Sequence, residues 1–207
     1  MNELLELHLD ALTEVFNVGA GRAASSLSEI VSEEIELSVP RIQFYQSSEI
    51  TAKSLSLDSP RLGAVKQHFN GPFDSTAMLL FTEERALEIV RDMMGSQLDV
   101  EELAEFEQEA MCELGNIILN ACLSVMADML GLTLASSLPV YFVDTSEVII
   151  QQIVNEDNHP VMLALHIDLN IKARHSNGYL VFLFSSSSLT ELVSHIDSFL
   201  LGIPVGR

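Results

Sequence analysis

Basic residues are scarce in this chain. Ten Lys and Arg stand against thirty Asp and Glu, a net charge of −20 over 207 residues. Such a surface repels nucleic-acid phosphates and anionic lipid, so neither nucleic acid nor a membrane surface is an expected partner. Cysteine is nearly absent. Cys112 and Cys122 fall ten residues apart in one predicted helix, about 15 Å along its axis, which excludes a disulfide between them. They are expected to be buried, reduced thiols of a cytoplasmic protein. The first ten residues carry no positive charge, so no signal peptide is expected. Asn120 and Asp128 interrupt the apolar stretch 117–134, which predicts a core helix rather than a membrane span. No segment is of low complexity.

Several familiar chemistries are also missing. Gly19-Ala20-Gly21 has no third glycine and lies inside a helical pattern, so it is no dinucleotide fingerprint. His166, Asp168 and His175 have the residue types of an iron facial triad. Strand alternation, however, puts His166, Asp168 and Asn170 on an outer face, with Leu165, Ile167 and Leu169 inside. The serines 185–188 with nearby His195 lack a nucleophile elbow and are expected to cap a helix. Met93, Met94, Met126 and Met129 are expected to fill the core. No metal site is predicted.

Apolar residues make up 48% of the chain, enough for the core of a single domain. Leu9, Leu12, Phe16, Ala20, Ala23, Leu27 and Ile30 recur at helical spacing and predict a helix over 9–31. A strand with Pro40 inside is expected over 35–45, at a sheet edge or a bulge. A short helix is expected at 47–57 and a hairpin over 62–69 and 75–81. Thr82 is expected to cap a helix running to Met94 and stopped by Gly95. The order then repeats: a helix over 107–130, a strand over 133–143, an ambiguous stretch at 146–154, and a hairpin over 161–173 and 179–184 with Asn177-Gly178 near its turn. A closing helix over 188–201 follows. The acidic stretch 99–105 is expected to link the copies. Asn155–His159 and Ala173–Asn177 are expected to lengthen the turns of the second hairpin.

The repetition extends to individual residues. Glu14, Asn17 and Pro40 are matched by Glu113, Asn116 and Pro139, each 99 positions later, and Asp10 is matched by Glu109. A period of 99 is too long for a solenoid. It predicts a domain, 1–207, built from two repeats of about 8–98 and 107–201. Each repeat has one apolar sheet face and one long amphipathic helix. The expected architecture is α+β with pseudo-two-fold symmetry: one shared antiparallel sheet with both long helices packed on a face. The two Glu/Asn pairs then lie on one exposed surface, because residues three apart on a helix share a side.

A site of Glu and Asn holds no activated nucleophile, metal cage or cofactor loop. A carboxamide both donates and accepts, so it can orient a water molecule. A carboxylate can pair with a partner's cation. Such a surface acts best by completing another protein's active site, as in phosphoryl transfer, where catalysis is mostly positioning.

The pattern Asp10-x3-Glu14-x2-Asn17-x22-Pro40, repeated as Glu109-x3-Glu113-x2-Asn116-x22-Pro139, closely resembles the paired signature of the CheC/CheX/FliY chemotaxis phosphatases. The likeness spans the whole chain and is nearest to the stand-alone, two-site CheC form, without the C-terminal switch domain of FliY. It implies a phosphatase acting on the aspartyl phosphate of the response regulator CheY. Asn17 and Asn116 would orient the hydrolytic water, and Glu14 and Glu113 would pair with a receiver lysine. Asp10, Glu109, Gly21 and Asn120 would flank the binding surface. The chain would need no cofactor of its own, the Mg2+ belonging to the receiver domain. It would act as a monomer, with CheD as a further partner. The alternative function is a non-catalytic adaptor that binds phosphorylated CheY or CheD through the same surface. The copies differ where Phe16 faces Gly115, where Gly21 faces Asn120, and where Arg22 faces Ala121. Arg22 is expected either to touch a partner or to be solvated.

Overall fold

The two helical periodicities are realised as the longest elements of a computed structural model, which describes residues 6–46, 49–51, 53–55, 57, 59–94, 100–155, 161–171 and 174–202. Helix α1 spans Glu6–Val31 and α3 spans Val100–Leu130. The first repeat continues with β1 Ile35–Gln46, β2 Arg61–Asn70, β3 Ser75–Thr82 and α2 Glu83–Met94. The second continues with β4 Ala135–Ser136, β5 Val140–Thr145, α4 Ser146–Asn155, β6 Val161–Ile171, β7 Arg174–Phe184 and α5 Ser186–Leu200.

The seven strands form one sheet in the order β1-β6-β7-β3-β2-β4, with β5 also paired to β2. All pairings are antiparallel. The pseudo-two-fold axis passes between the central strands β3 and β7. Each repeat gives its first long strand to the other repeat's hairpin: β1 pairs with β6, and β5 pairs with β2. The expected shared sheet is therefore present, and it is closed by strand exchange.

Helices α1 and α3 cross where a Cβ on Gly19 would come within 2.6 Å of the Cys122 Cα. Hydrogen is the only side chain that permits this approach. Ile30, late in α1, shares a groove with Phe106 and Glu109, early in α3, so the two helices run in opposite directions. Below them lies the main core, which includes Phe16, Leu79, Leu165, Ile167, Leu169 and Phe182. The Phe16 and Phe182 ring centroids are 5.4 Å apart. His8 of α1 and Asp197 of α5 are joined by a 2.7 Å hydrogen bond. Between Phe106 and Leu130, α3 is long and apolar enough to cross a membrane by length and composition. In its most apolar stretch 56% is buried inside the protein, as suits a core helix.

Several expectations need correction. The sheet has two apolar faces, not one: Met78, Leu80, Met162, Ala164, Val181 and Leu183 face away from the long helices and pack against Ile149, Ile150 and Ile153 of α4. Those three residues resolve the ambiguous stretch at 146–154 as a helix. Within 47–57, the described residues include a tight turn in which the Ser54 and Leu55 amides donate to the Thr51 carbonyl, and no α-helix. The acidic linker is mostly helix, since α3 begins at Val100; acidic residues suit a helix N-terminus. Asn177-Gly178 is no turn but lies inside β7, opposite Asp168 and Ile167. A Cβ on Gly178 would come within 2.5 Å of the Leu80 carbonyl oxygen, so glycine here serves close strand packing. Residues 174–177 likewise extend β7 rather than a turn. The strand expected at 133–143 is split into β4 and β5, with Pro139 outside both. The stops at Gly95 and Pro204, and 156–159, lie outside the described residues.

Other expectations hold. β1 is an edge strand whose register against β6 shifts between Ser38 and Arg41, the two forms in which a strand tolerates proline. The amide of Arg85 donates to Thr82 Oγ1 at 3.3 Å at the start of α2. That of Ser188 donates to Ser185 Oγ at 3.0 Å at the start of α5.

Candidate functional site

Opposite Ile167, β1 has two residues, Val39 and Pro40. Proline has no N–H to give to a ladder, and the bulge leaves Val39 outside the β1–β6 register. Asn17 takes up the groups that this frees. The Val39 N–H donates to Asn17 Oδ1 at 2.9 Å, and Asn17 Nδ2 donates to the Val39 carbonyl at 3.3 Å. The carboxamide thus imitates one rung of a β-ladder. Its second Nδ2 hydrogen goes to the Thr13 carbonyl at 3.0 Å. The 22 residues between Asn17 and Pro40 are the length of chain that brings this rung together. Glu14, one turn earlier, is exposed, as is Asp10.

The second copy is built differently. Glu109 and Glu113 are exposed, and Asn116 is half-buried like Asn17. Leu138, the counterpart of Val39, is 87% exposed and makes no hydrogen bond to Asn116 among the described residues. Its neighbour Ser137 is drawn to β2 instead: the Ser137 amide donates to the His68 carbonyl, and Gln67 Nε2 donates to the Ser137 carbonyl at 2.7 Å. Asn116 is held from within its own helix. Asn120 Nδ2 donates to Asn116 Oδ1 at 2.7 Å and to the Asn116 carbonyl at 2.8 Å. Gly21, the counterpart of Asn120, is exposed, with open space where a Cβ would stand.

Asn116 and Glu113 border a groove of about 770 Å³, with Ile30, Met93, Met94, Phe106 and Leu138 among its apolar walls. Met93 and Met94 were expected in the core; Met93 is half-buried and packs against it, whereas Met94 is exposed, and both line this groove. Met126 is buried and Met129 is packed against the core, as expected. Cys112 is likewise only half-buried and lines the groove. Cys122 is buried, and desolvation pushes its thiol up to about 12. Burial also raises the Tyr141 phenol, which donates to Glu107 Oε1 at 2.5 Å and ties β5 to α3. Arg22 reaches Asp128 at 3.4 Å in an exposed ion pair, a contact that contributes little stability. His166 and Asp168 are half-buried on the outer face. Among the described residues, no group of three or more His, Cys, Asp or Glu is arranged to hold a metal ion.

Sequence reasoning found both Glu/Asn pairs and missed what holds them. The main-chain partner Val39 was signalled only indirectly, by the proline after it. The apolar groove was signalled by nothing local, because its walls come from α1, α2, α3 and the segment before β5.

Comparison with known proteins follows the same signature. The family model described as the CheC-like family matches residues 7–43, a span that runs from before Asp10 past Pro40. The chain is 26% identical to the CheY-P phosphatase CheC of Bacillus subtilis (strain 168) over 94% of its own length and 88% of that protein. It is 24% identical to the putative CheY-P phosphatase CheC1 of Halobacterium salinarum over 96% of its length and all of that protein. The fold is that of Thermotoga maritima FliY, with a TM-score of 0.76 at 18% identity, covering 95% of this chain and 99% of that one. In its paired signature, its duplicated sheet and the near-complete length over which it aligns, the chain is similar to proteins of the CheC/CheX/FliY family.

Proposed function

We propose that this chain hydrolyses the aspartyl phosphate of a CheY-type receiver domain, completing that domain's active site with side chains from α1 and α3. The names of its full-length relatives support the reading. One observation carries it: each repeat presents an exposed Glu one turn before an Asn whose carboxamide is held by hydrogen bonds.

In this reading Glu14 and Glu113 each pair with a lysine of the receiver and set the depth of insertion. The Oδ1 of Asn17 or Asn116 has one lone pair left after its internal bond. It accepts a hydrogen from a water molecule and aims the water oxygen at phosphorus, in line with the aspartyl oxygen. The water O–P bond forms, the P–O bond to aspartate breaks, and inorganic phosphate leaves. A positioned group is enough for this chemistry. The Mg2+ that neutralises the phosphoryl charge belongs to the receiver. The groove beside Asn116 is the seat for the partner's apolar surface, and Asp10 and Glu109 flank the two insertion points.

The test is loss of phosphate from a phosphorylated receiver at substoichiometric amounts of this protein. Wild type turns over many receivers. The double variant Asn17→Ala/Asn116→Ala binds the receiver but leaves its phosphate decaying at the intrinsic rate. A wild-type protein that binds without turnover would be an adaptor, and a double variant that still turned over would remove the asparagines from the mechanism.

A further inference from the structure

The carboxamide of Asn120 spends both of its hydrogens on one residue. One goes to the Asn116 main-chain carbonyl at 2.8 Å and the other to Asn116 Oδ1 at 2.7 Å. The first bond alone would be an ordinary back-bond to the preceding turn. The second is different, because it fixes which way the Asn116 carboxamide is turned. With Oδ1 facing Asn120, Nδ2 points the other way, and it meets no hydrogen-bond partner among the described residues. Asn116 itself borders the groove. Asparagine is a poorer helix former than alanine in the middle of a helix, and Asn120 makes no other hydrogen bond among the described residues.

The first repeat reaches the same result by other means. There Val39 fixes the Asn17 carboxamide from the strand, and Gly21 stands where the second repeat has Asn120. In the second repeat the counterpart of Val39, Leu138, lies between β4 and β5 and is turned out to solvent. The lock has moved from the sheet to the helix.

We propose that Asn120 is a positioning residue for Asn116: it sets the orientation of the water-directing carboxamide in the second site and takes no part in the reaction itself. The inference rests on the phosphatase reading given above for its kinetic consequence, but not for the orientation.

The experiment places Asn120→Ala and Asn120→Asp in an Asn17→Ala background, so that only the second site reports. Receiver dephosphorylation is measured as kcat and KM, with the side-chain amide signals of Asn116 followed by ¹⁵N NMR and folding checked by thermal unfolding. Asn120→Ala is expected to lower kcat roughly 10- to 100-fold with KM unchanged, and to shift and broaden the Asn116 signals. Asn120→Asp is expected to be worse than alanine. A carboxylate only accepts, so it draws Nδ2 of Asn116 toward itself and turns Oδ1 away; a merely structural role would not rank Asp below Ala. The proposal is overturned if both variants keep the parent kcat while Asn116→Ala in the same background loses hydrolysis. Should Asn17→Ala/Asn116→Ala itself retain activity, the assignment of the asparagines as water-directing groups fails instead. The NMR signals then decide the orientation alone, and an Asn116 amide unchanged by Asn120→Ala overturns it.

Discussion

Asn17 and Asn116 occupy the same place in the repeat but keep different amounts of unused hydrogen-bonding capacity. Both Nδ2 hydrogens of Asn17 are taken, by Thr13 and Val39, whereas those of Asn116 have no partner among the described residues. A site that offers two donors as well as an acceptor can hold a phosphoryl oxygen and a water together. Asn116→Ala is therefore expected to remove the larger share of turnover and Asn17→Ala the smaller, when each is assayed alone against a phosphorylated receiver. The two thiols also part company at this scale. Cys122 stays protonated until its raised value of about 12 is approached, while Cys112 is open to the groove. Iodoacetamide at pH 8 is expected to label Cys112 in the folded protein and Cys122 only after unfolding, as read by mass spectrometry. The unfolded chain releases the Cys122 proton near the ordinary thiol range while the folded chain keeps it. That contribution to stability thus falls as pH rises from about 9 toward 12.

Among the elements, α1 carries two nearby glycines with opposite demands. Gly19 lies against the α3 backbone, with only 2.6 Å available to a Cβ, while Gly21 faces open space. Gly19→Ala should force the helices apart and cost about 1–3 kcal/mol. Gly21→Ala should stabilise α1 by up to about 1 kcal/mol, because alanine is the better helix former. Urea unfolding of the two variants reads both signs. The helices were legible because an apolar stripe such as Leu12, Phe16, Ala20 and Ala23 repeats locally. The Asn17–Val39 rung was not, because it joins residues 22 apart through a bulge that exists only once β1 meets β6. Asn177-Gly178 misled for a related reason. Its composition suits a turn, but what required glycine was the carbonyl of Leu80, nearly a hundred residues away. Met94 has the residue type of a core, and only the tertiary arrangement leaves it exposed at the wall of a groove.

For the whole molecule, the pseudo-symmetry was visible in the 99-residue frame, but the exchange of β1 and β5 between hairpins was not, since pattern alone does not name a strand's neighbour. The exchange makes the halves interdependent. Separately produced, 1–94 and 100–207 are each expected to lack stable structure, because each has an outer strand without its hairpin partner. Mixed or co-expressed, they are expected to restore the sheet, with circular dichroism and size-exclusion chromatography as the readout. Two halves related by a two-fold axis and trading strands have the form of a symmetric dimer written as one polypeptide. A true homodimer must make every substitution twice, so its two sites stay identical. Covalent fusion lifts that constraint, and this chain has used the freedom. One site is locked by a strand and faces a glycine, while the other is locked by a helix and faces an asparagine, so that evolution can retune either without touching its twin.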